Sequence, residues 1–180
     1  MRTDGHRHRP QFPLLVLCVL GISCTDLGDP APPASVDDRL FRQITEDDPF
    51  VGWADFPQAD SVTTGTLNGS QAHRPIVHVR INAIAAGALV ADTLPQGSAF
   101  PAGSMIVKTI FLDGRPTLFA VIRKEPTHAL AAQGWLWAEF EPGGRPFVSV
   151  TSRGAGCVGC HARERGSMND FVRTFERQHR

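Results

Sequence analysis

Gly156-Cys157-Val158-Gly159-Cys160-His161 limits what this chain can become more than any other stretch does. Two thiols three positions apart, followed at once by an imidazole, have the spacing by which haem c is fastened to protein. Each thiol can add to one of the two haem vinyl groups, and the next residue then sets a nitrogen under the iron. The motif is read as the attachment site of one covalent haem c, with Cys157 and Cys160 as thioether residues and His161 as the axial metal ligand. Three other readings compete: a thioredoxin-like dithiol, a structural zinc site, and chance. A redox pair of this spacing belongs near the start of a helix in a βαβ unit, which is missing here. Zinc needs four ligands in a closed site, and only scattered histidines remain to supply them.

The haem reading requires export, and the N-terminus is consistent with it. Arg2, His6, Arg7, His8 and Arg9 form a basic stretch, and residues 12–22 are a mainly apolar run too short to span a bilayer comfortably. Residues 1–24 are therefore read as an export signal, residues 25–40 as a Pro-rich tether and residues 41–180 as the haem c domain. Ser23 and Cys24 close the apolar run in the manner of a lipoprotein signal. The match is imperfect, because Gly21 stands where Leu is usual and Leu20 lies one place upstream. A lipid anchor at Cys24 and ordinary cleavage nearby both stay open, so the expected location is periplasmic or exported, with membrane anchoring as a variant. Cysteines occur only at 18, 24, 157 and 160, which leaves none for a disulfide. Formal charge is zero and the basic residues are dispersed, so nothing favours nucleic acid as a partner.

Hydropathy patterning predicts an α+β fold: a predominantly antiparallel β-sheet with short flanking helices and a C-terminal haem c segment. Val36, Leu40, Phe41 and Ile44 have helical spacing, with Ser35 as N-cap. Trp53 and Phe56 are expected as core anchors, and residues 63–71 as a loop. Residues 75–81 alternate, with Ile76, His78 and Arg80 on one face and Val77, Val79 and Ile81 on the other. Asn82 can cap an Ala-rich segment running to Ala91. Residues 105–112 and 117–123 flank Asp113-Gly114, the strongest short hairpin signal in the chain. A second hairpin is expected over 135–141 and 145–151, with a short helix over 126–133 between the two. Such short connections leave no room for crossover helices, hence the antiparallel pairing. Ser167 or Asn169 can cap a terminal helix carrying Phe171, Val172 and Phe175 on one side.

The motif lies close to the C-terminus, and the only Met beyond it, Met168, is too near in sequence to reach the far face of the ring. Met105 is a weaker candidate for a sixth ligand. A five-coordinate iron open to a small nitrogenous or gaseous ligand is the favoured reading, ahead of a simple electron carrier. The 14 Pro and 17 Gly, with the central alternation, argue against a helical bundle. Lys108 is the second unusual residue, since it shares a strand face with Ile106 and Ile110. Among 18 basic residues only Lys108 and Lys124 are lysines. A buried amine can lose its proton and act as a nucleophile, which a guanidinium does not readily do. A snorkelling or edge-strand lysine is the plainer alternative.

Several segments, in order, resemble the cytochrome P-460 family of mono-haem c proteins with an antiparallel sheet. They are Phe50-Val51-Gly52-Trp53, Phe100-Pro101-Ala102-Gly103-Ser104-Met105-Ile106-Val107-Lys108, Gly134-Trp135-Leu136-Trp137-Ala138-Glu139-Phe140, the Cys157 to His161 motif, and Asn169-Asp170-Phe171-Val172-Arg173-Thr174. The resemblance implies a hydroxylamine-oxidising enzyme in which Lys108 is joined covalently to a meso carbon of the haem. It also implies an electron-accepting cytochrome and a homodimer. Acidic groups that help remove substrate protons are part of the pattern, and Glu125 and Glu139 are the catalytic candidates here; either could equally be a solvated acid. Arg74 could pair with a haem propionate. Many members have Tyr-Arg before the first Trp, whereas this chain has no Tyr. Non-cross-linked relatives bind NO or other gases in Phe-lined pockets, and Phe50, Phe56 and Phe100 could supply such a lining.

Overall fold

The structure, a computed structural model, describes residues 33–59, 73, 74, 76–163 and 165–178. The signal segment, Cys24, the tether up to residue 32 and the loop at 63–71 lie outside the described residues. The compact unit begins at Pro33, so the helix that starts at Val36 belongs to it.

Among the described residues six strands form one sheet in simple sequence order. They are β1 (Ala54–Asp55), β2 (Ile76–Ile81), β3 (Met105–Leu112), β4 (Arg115–Lys124), β5 (Trp135–Phe140) and β6 (Pro146–Val148). Every neighbouring pair is antiparallel. The β3–β4 hairpin turns at Asp113-Gly114, both with positive φ, as a two-residue primed turn requires.

Period-two alternation gives the sheet two buried faces. One carries Val77, Val79, Ile81, Ile106, Ile110, Ile122, Trp135 and Trp137, and the C-terminal segment packs there through Val172 and Phe175. The other carries Met105, Val107, Phe119, Val121, Leu136, Ala138 and Phe140 and is covered by Leu40 and Ile44. Leu40 belongs to α1 (Val36–Arg42), and a π-helical turn over Gln43–Asp47 continues it. Ser35 and Asp38 close a capping box at its start. Asp37 ties the helix down by accepting from Ser149 Oγ (2.6 Å) and the Val150 N–H (2.8 Å).

The helices differ from the sequence expectations in three places. α2 (Ala83–Gly87), capped by Asn82, stops well before residue 91, where Ala91 and Asp92 turn left-handed. Residues 126–133 make turns instead of a helix: the His128 and Ala131 N–H groups bond three residues back to the Glu125 and His128 carbonyls, and the Ala132 carbonyl accepts from both the Trp135 N–H and the Trp137 indole. The expected terminal helix is replaced by 3₁₀ turns over Gly166–Asn169 and Arg173–Arg177, separated by left-handed Asp170 and Phe171. Both of those residues are held by partners elsewhere in the fold. Of the two expected core anchors, Phe56 is buried and Trp53 is half-buried, with its indole on Asp48.

Candidate haem site

Cys157, Cys160 and His161 lie on a single turn around α3 (Val158–His161). Both thiols are free and half-buried. Among the described residues no three His, Cys, Asp or Glu groups converge to hold a metal ion, so the zinc alternative has no ligand set. The dithiol alternative lacks its βαβ frame, since the sheet is antiparallel throughout.

His161 is oriented for ligation. Its Nδ1 lies 2.7 Å from the Phe171 carbonyl oxygen. A carbonyl only accepts, so Nδ1 carries the proton and Nε2 carries the lone pair. Burial pushes the His161 pKa down to about 3 against the opposing hydrogen bond, and Lys108, His73 and Arg173 act in the same direction as burial. A neutral imidazole with a bonded Nδ1–H is the form in which histidine binds iron. The ring sits edge-on to Trp137 at 4.8 Å between centroids. Burial, with the Glu139 carboxylate and Cys160 adding to it, pushes the Cys157 thiol up to about 11 and keeps it protonated. Arg173 Nη1 donates to both the carbonyl (3.2 Å) and the sulfur (3.3 Å) of Cys160, while Glu176 holds the rest of its guanidinium.

Lys108 and Glu139 join these groups through the sheet. Val79, Lys108, Ala120 and Glu139 are successive cross-strand partners on β2, β3, β4 and β5 and therefore point to the same side. It is the side on which the haem motif packs, as the position of Val158 against that core shows. Lys108 is half-buried there and lies within electrostatic reach of His73 and His161. His73 Nε2–H donates to Glu139 Oε1 at 3.0 Å. Burial lowers the His73 pKa more than the carboxylate raises it, and Lys108 adds to the lowering.

The remaining sequence candidates divide between the two sides of the sheet. Glu125 follows β4 and pairs with Arg123 at 2.6 Å, and Arg123 alternates onto the face opposite Lys108. Arg74 is exposed next to His73. Met105 is buried in the opposite core and Met168 is exposed. Phe50 is also in the opposite core, edge-on to Phe119, so it does not line this side. Phe56 and Phe100 are on the Lys108 side, where both pack against Phe175.

Sequence reasoning reads His73 as a surface or satisfied core histidine and gives no site role to Arg173 or to a buried pair formed by Lys124 and Asp170. Lys124 offered a signal: it shares a strand face with Ala120 and Ile122, an apolar setting like that of Lys108. Its Nζ lies 2.7 and 2.8 Å from the two Asp170 oxygens and 4.9 Å from the centre of the Trp135 ring. Asp170 Oδ2 also accepts the Phe100 N–H (2.8 Å), and the Asp170 carbonyl accepts the Trp135 indole N–H (2.8 Å). Asp170 and Phe171 have φ of 50° and 66°. Left-handed backbone costs a non-glycine residue roughly 1–2 kcal/mol, so these contacts hold a turn that the chain would not adopt unaided.

An oriented neutral imidazole, two thiols on the same turn and an apolar sheet face beside them are a donor set that suits a flat, iron-bearing ring. That places the chain among haem proteins built on a sheet in place of a helical bundle. It belongs to the cytochrome P460 family, whose sequence profile matches residues 55–174, from β1 to the turn after Phe171. No curated protein matches the chain.

Proposed function

We propose that this chain is an exported mono-haem c enzyme that oxidises hydroxylamine and passes the electrons to another cytochrome. Cys157 and Cys160 hold the haem by thioethers, His161 is the axial ligand and Lys108 makes a third covalent bond. The observation that carries this reading is the convergence of Lys108, the Glu139–His73 pair and His161 on one side of the sheet. Haem bound there supplies a redox-active iron to which a small nitrogenous substrate can be presented.

The protein's own groups would do the rest. Each thiol adds across a vinyl double bond, sulfur to one carbon and hydrogen to the other, with no oxidant consumed. Lys108 presents its amine to a meso carbon; forming that N–C bond removes one N–H and one C–H, so two electrons and two protons leave to an oxidant such as hydrogen peroxide. Glu139 is the proton acceptor for substrate, held in position by the His73 N–H. The apolar wall of Ile106, Ile110 and Trp137 limits access of water. Thioether attachment occurs in an exported compartment, so this reading carries export with it, and Cys24 is a candidate lipid anchor.

The test is to digest the holoprotein and weigh the haem-bearing peptides. The reading expects haem on the Cys157–Cys160 peptide and on the Lys108 peptide, and hydroxylamine turnover that falls in Lys108→Arg. Recovery of the Lys108 peptide free of haem, together with equal turnover in both proteins, would sink it in favour of gas binding.

A further inference from the structure

We infer that Lys124 and Asp170 form a buried clamp that positions the axial histidine, by fixing the left-handed turn whose Phe171 carbonyl receives the His161 Nδ1 proton. The inference rests on His161 being the axial ligand.

Each link is a direct contact. Lys124 is the last residue of β4, the longest strand of the sheet, and both Asp170 oxygens accept from its amine. The Phe100 N–H grips the same carboxylate, and the Trp135 indole grips the Asp170 main chain. Asp170 is thus held at side chain and backbone by three separate segments. The next residue, Phe171, has its N–H on the Gly166 carbonyl at 2.6 Å and its own carbonyl on His161 at 2.7 Å. Loosening Asp170 frees the pair to relax towards right-handed backbone, which swings the Phe171 carbonyl away from Nδ1. A hydrogen bond at Nδ1 makes imidazole a stronger donor to iron, so its loss weakens the iron–histidine bond and favours the reduced metal.

Charge removal alone would also move the reduction potential, but with opposite signs. Loss of the Lys124 cation favours oxidised iron, and loss of the Asp170 anion favours reduced iron. A clamp instead predicts the same sign from both. The experiment compares wild-type holoprotein with Lys124→Met, Asp170→Asn, the double variant and Trp135→Phe. Its readouts are the iron–histidine stretching band of the ferrous form by resonance Raman and the reduction potential. The expected result is a downshifted or split band and a raised potential in both single variants. The double variant, which leaves no unpaired buried charge, and Trp135→Phe, which removes the indole N–H together with part of the buried ring beside Lys124, follow the same direction and keep the inference testable if a single variant does not fold. An unchanged band, with potentials displaced in opposite directions or not at all, overturns the clamp. A wild-type ferrous protein that is five-coordinate and high-spin yet has no iron–histidine band overturns the assignment of His161 instead.

Discussion

Lys108 and Glu139 flank Ala120 in one cross-strand row, with Lys108 paired to Ala120 on one side and Glu139 on the other. Adjacent strands lie about 4.8 Å apart, so the two polar side chains rise roughly 10 Å from each other over a methyl group. A larger residue at 120 would fill the space between them. Ala120→Leu is expected to leave the fold stable, because Ala120 is only half-buried, while reducing the fraction of chains with haem bonded at Lys108. Intact-protein and peptide mass spectra read that fraction directly; a fraction equal to wild type would show that the ring does not occupy this row.

The two candidate acids are separated by their surroundings. Glu139 sits on the Lys108 side with His73 as partner, and Glu125 pairs with Arg123 towards the other face. Glu139→Gln should lower hydroxylamine turnover by about 10²-fold or more, the usual scale for a positioned general base. Glu125→Gln should change turnover less than about twofold and stability by under ~1 kcal/mol, as for a partly exposed ion pair. Steady-state rates for the two variants, each checked for haem content, decide between them.

His73 makes the fold sensitive to acid. Its folded pKa is lowered from 6.5, mainly by burial. The unfolded chain therefore takes up the proton first as pH falls. The stability that depends on neutral His73 is complete above about pH 6.5 and is lost as pH drops below that value, with a slope of at most about 1.4 kcal/mol per pH unit for one proton. His73→Gln keeps an N–H for Glu139 and cannot titrate. Denaturation of the two holoproteins between pH 5 and 7.5 should give the shallower pH dependence in His73→Gln; parallel curves would place His73 outside the acid response.

The sheet was readable because its signals are local. Alternation in residues 76–81 and 105–112, with Asp113-Gly114 between paired strands, reflects burial on two faces and a turn that needs positive φ, and each is written in adjacent residues. The Cys157 to His161 motif is likewise written in adjacent residues. Phe171, Val172 and Phe175 were expected on one helical face, and Val172 and Phe175 are indeed buried on the sheet. The helix is absent because its backbone is claimed from a distance. Asp170 is drawn to a lysine 46 positions away, and the Phe171 carbonyl to His161. His73 met Glu139 across 66 positions, which no spacing rule reports. Lys124 was the accessible clue, since an amine among apolar neighbours needs a buried partner.

Two glycines before the haem motif have different physical jobs. Gly154 (φ +69°) is buried beneath Trp137, and a methyl group there would lie 2.7 Å from both the Trp137 ring and Val158. Gly156 (φ +79°) has nothing within 4 Å of the same position. Gly156→Ala thus meets only backbone strain, roughly 1–2 kcal/mol. Gly154→Ala adds overpacking of about 1–3 kcal/mol to a similar strain. It also pushes the indole that stands edge-on to His161, so the ferrous iron–histidine band should broaden in Gly154→Ala and stay sharp in Gly156→Ala. Denaturation midpoints and Raman spectra of the two holoproteins test both statements. Equal loss of stability would mean that Trp137 yields to the methyl group, and the ring would then not be a rigid support for His161.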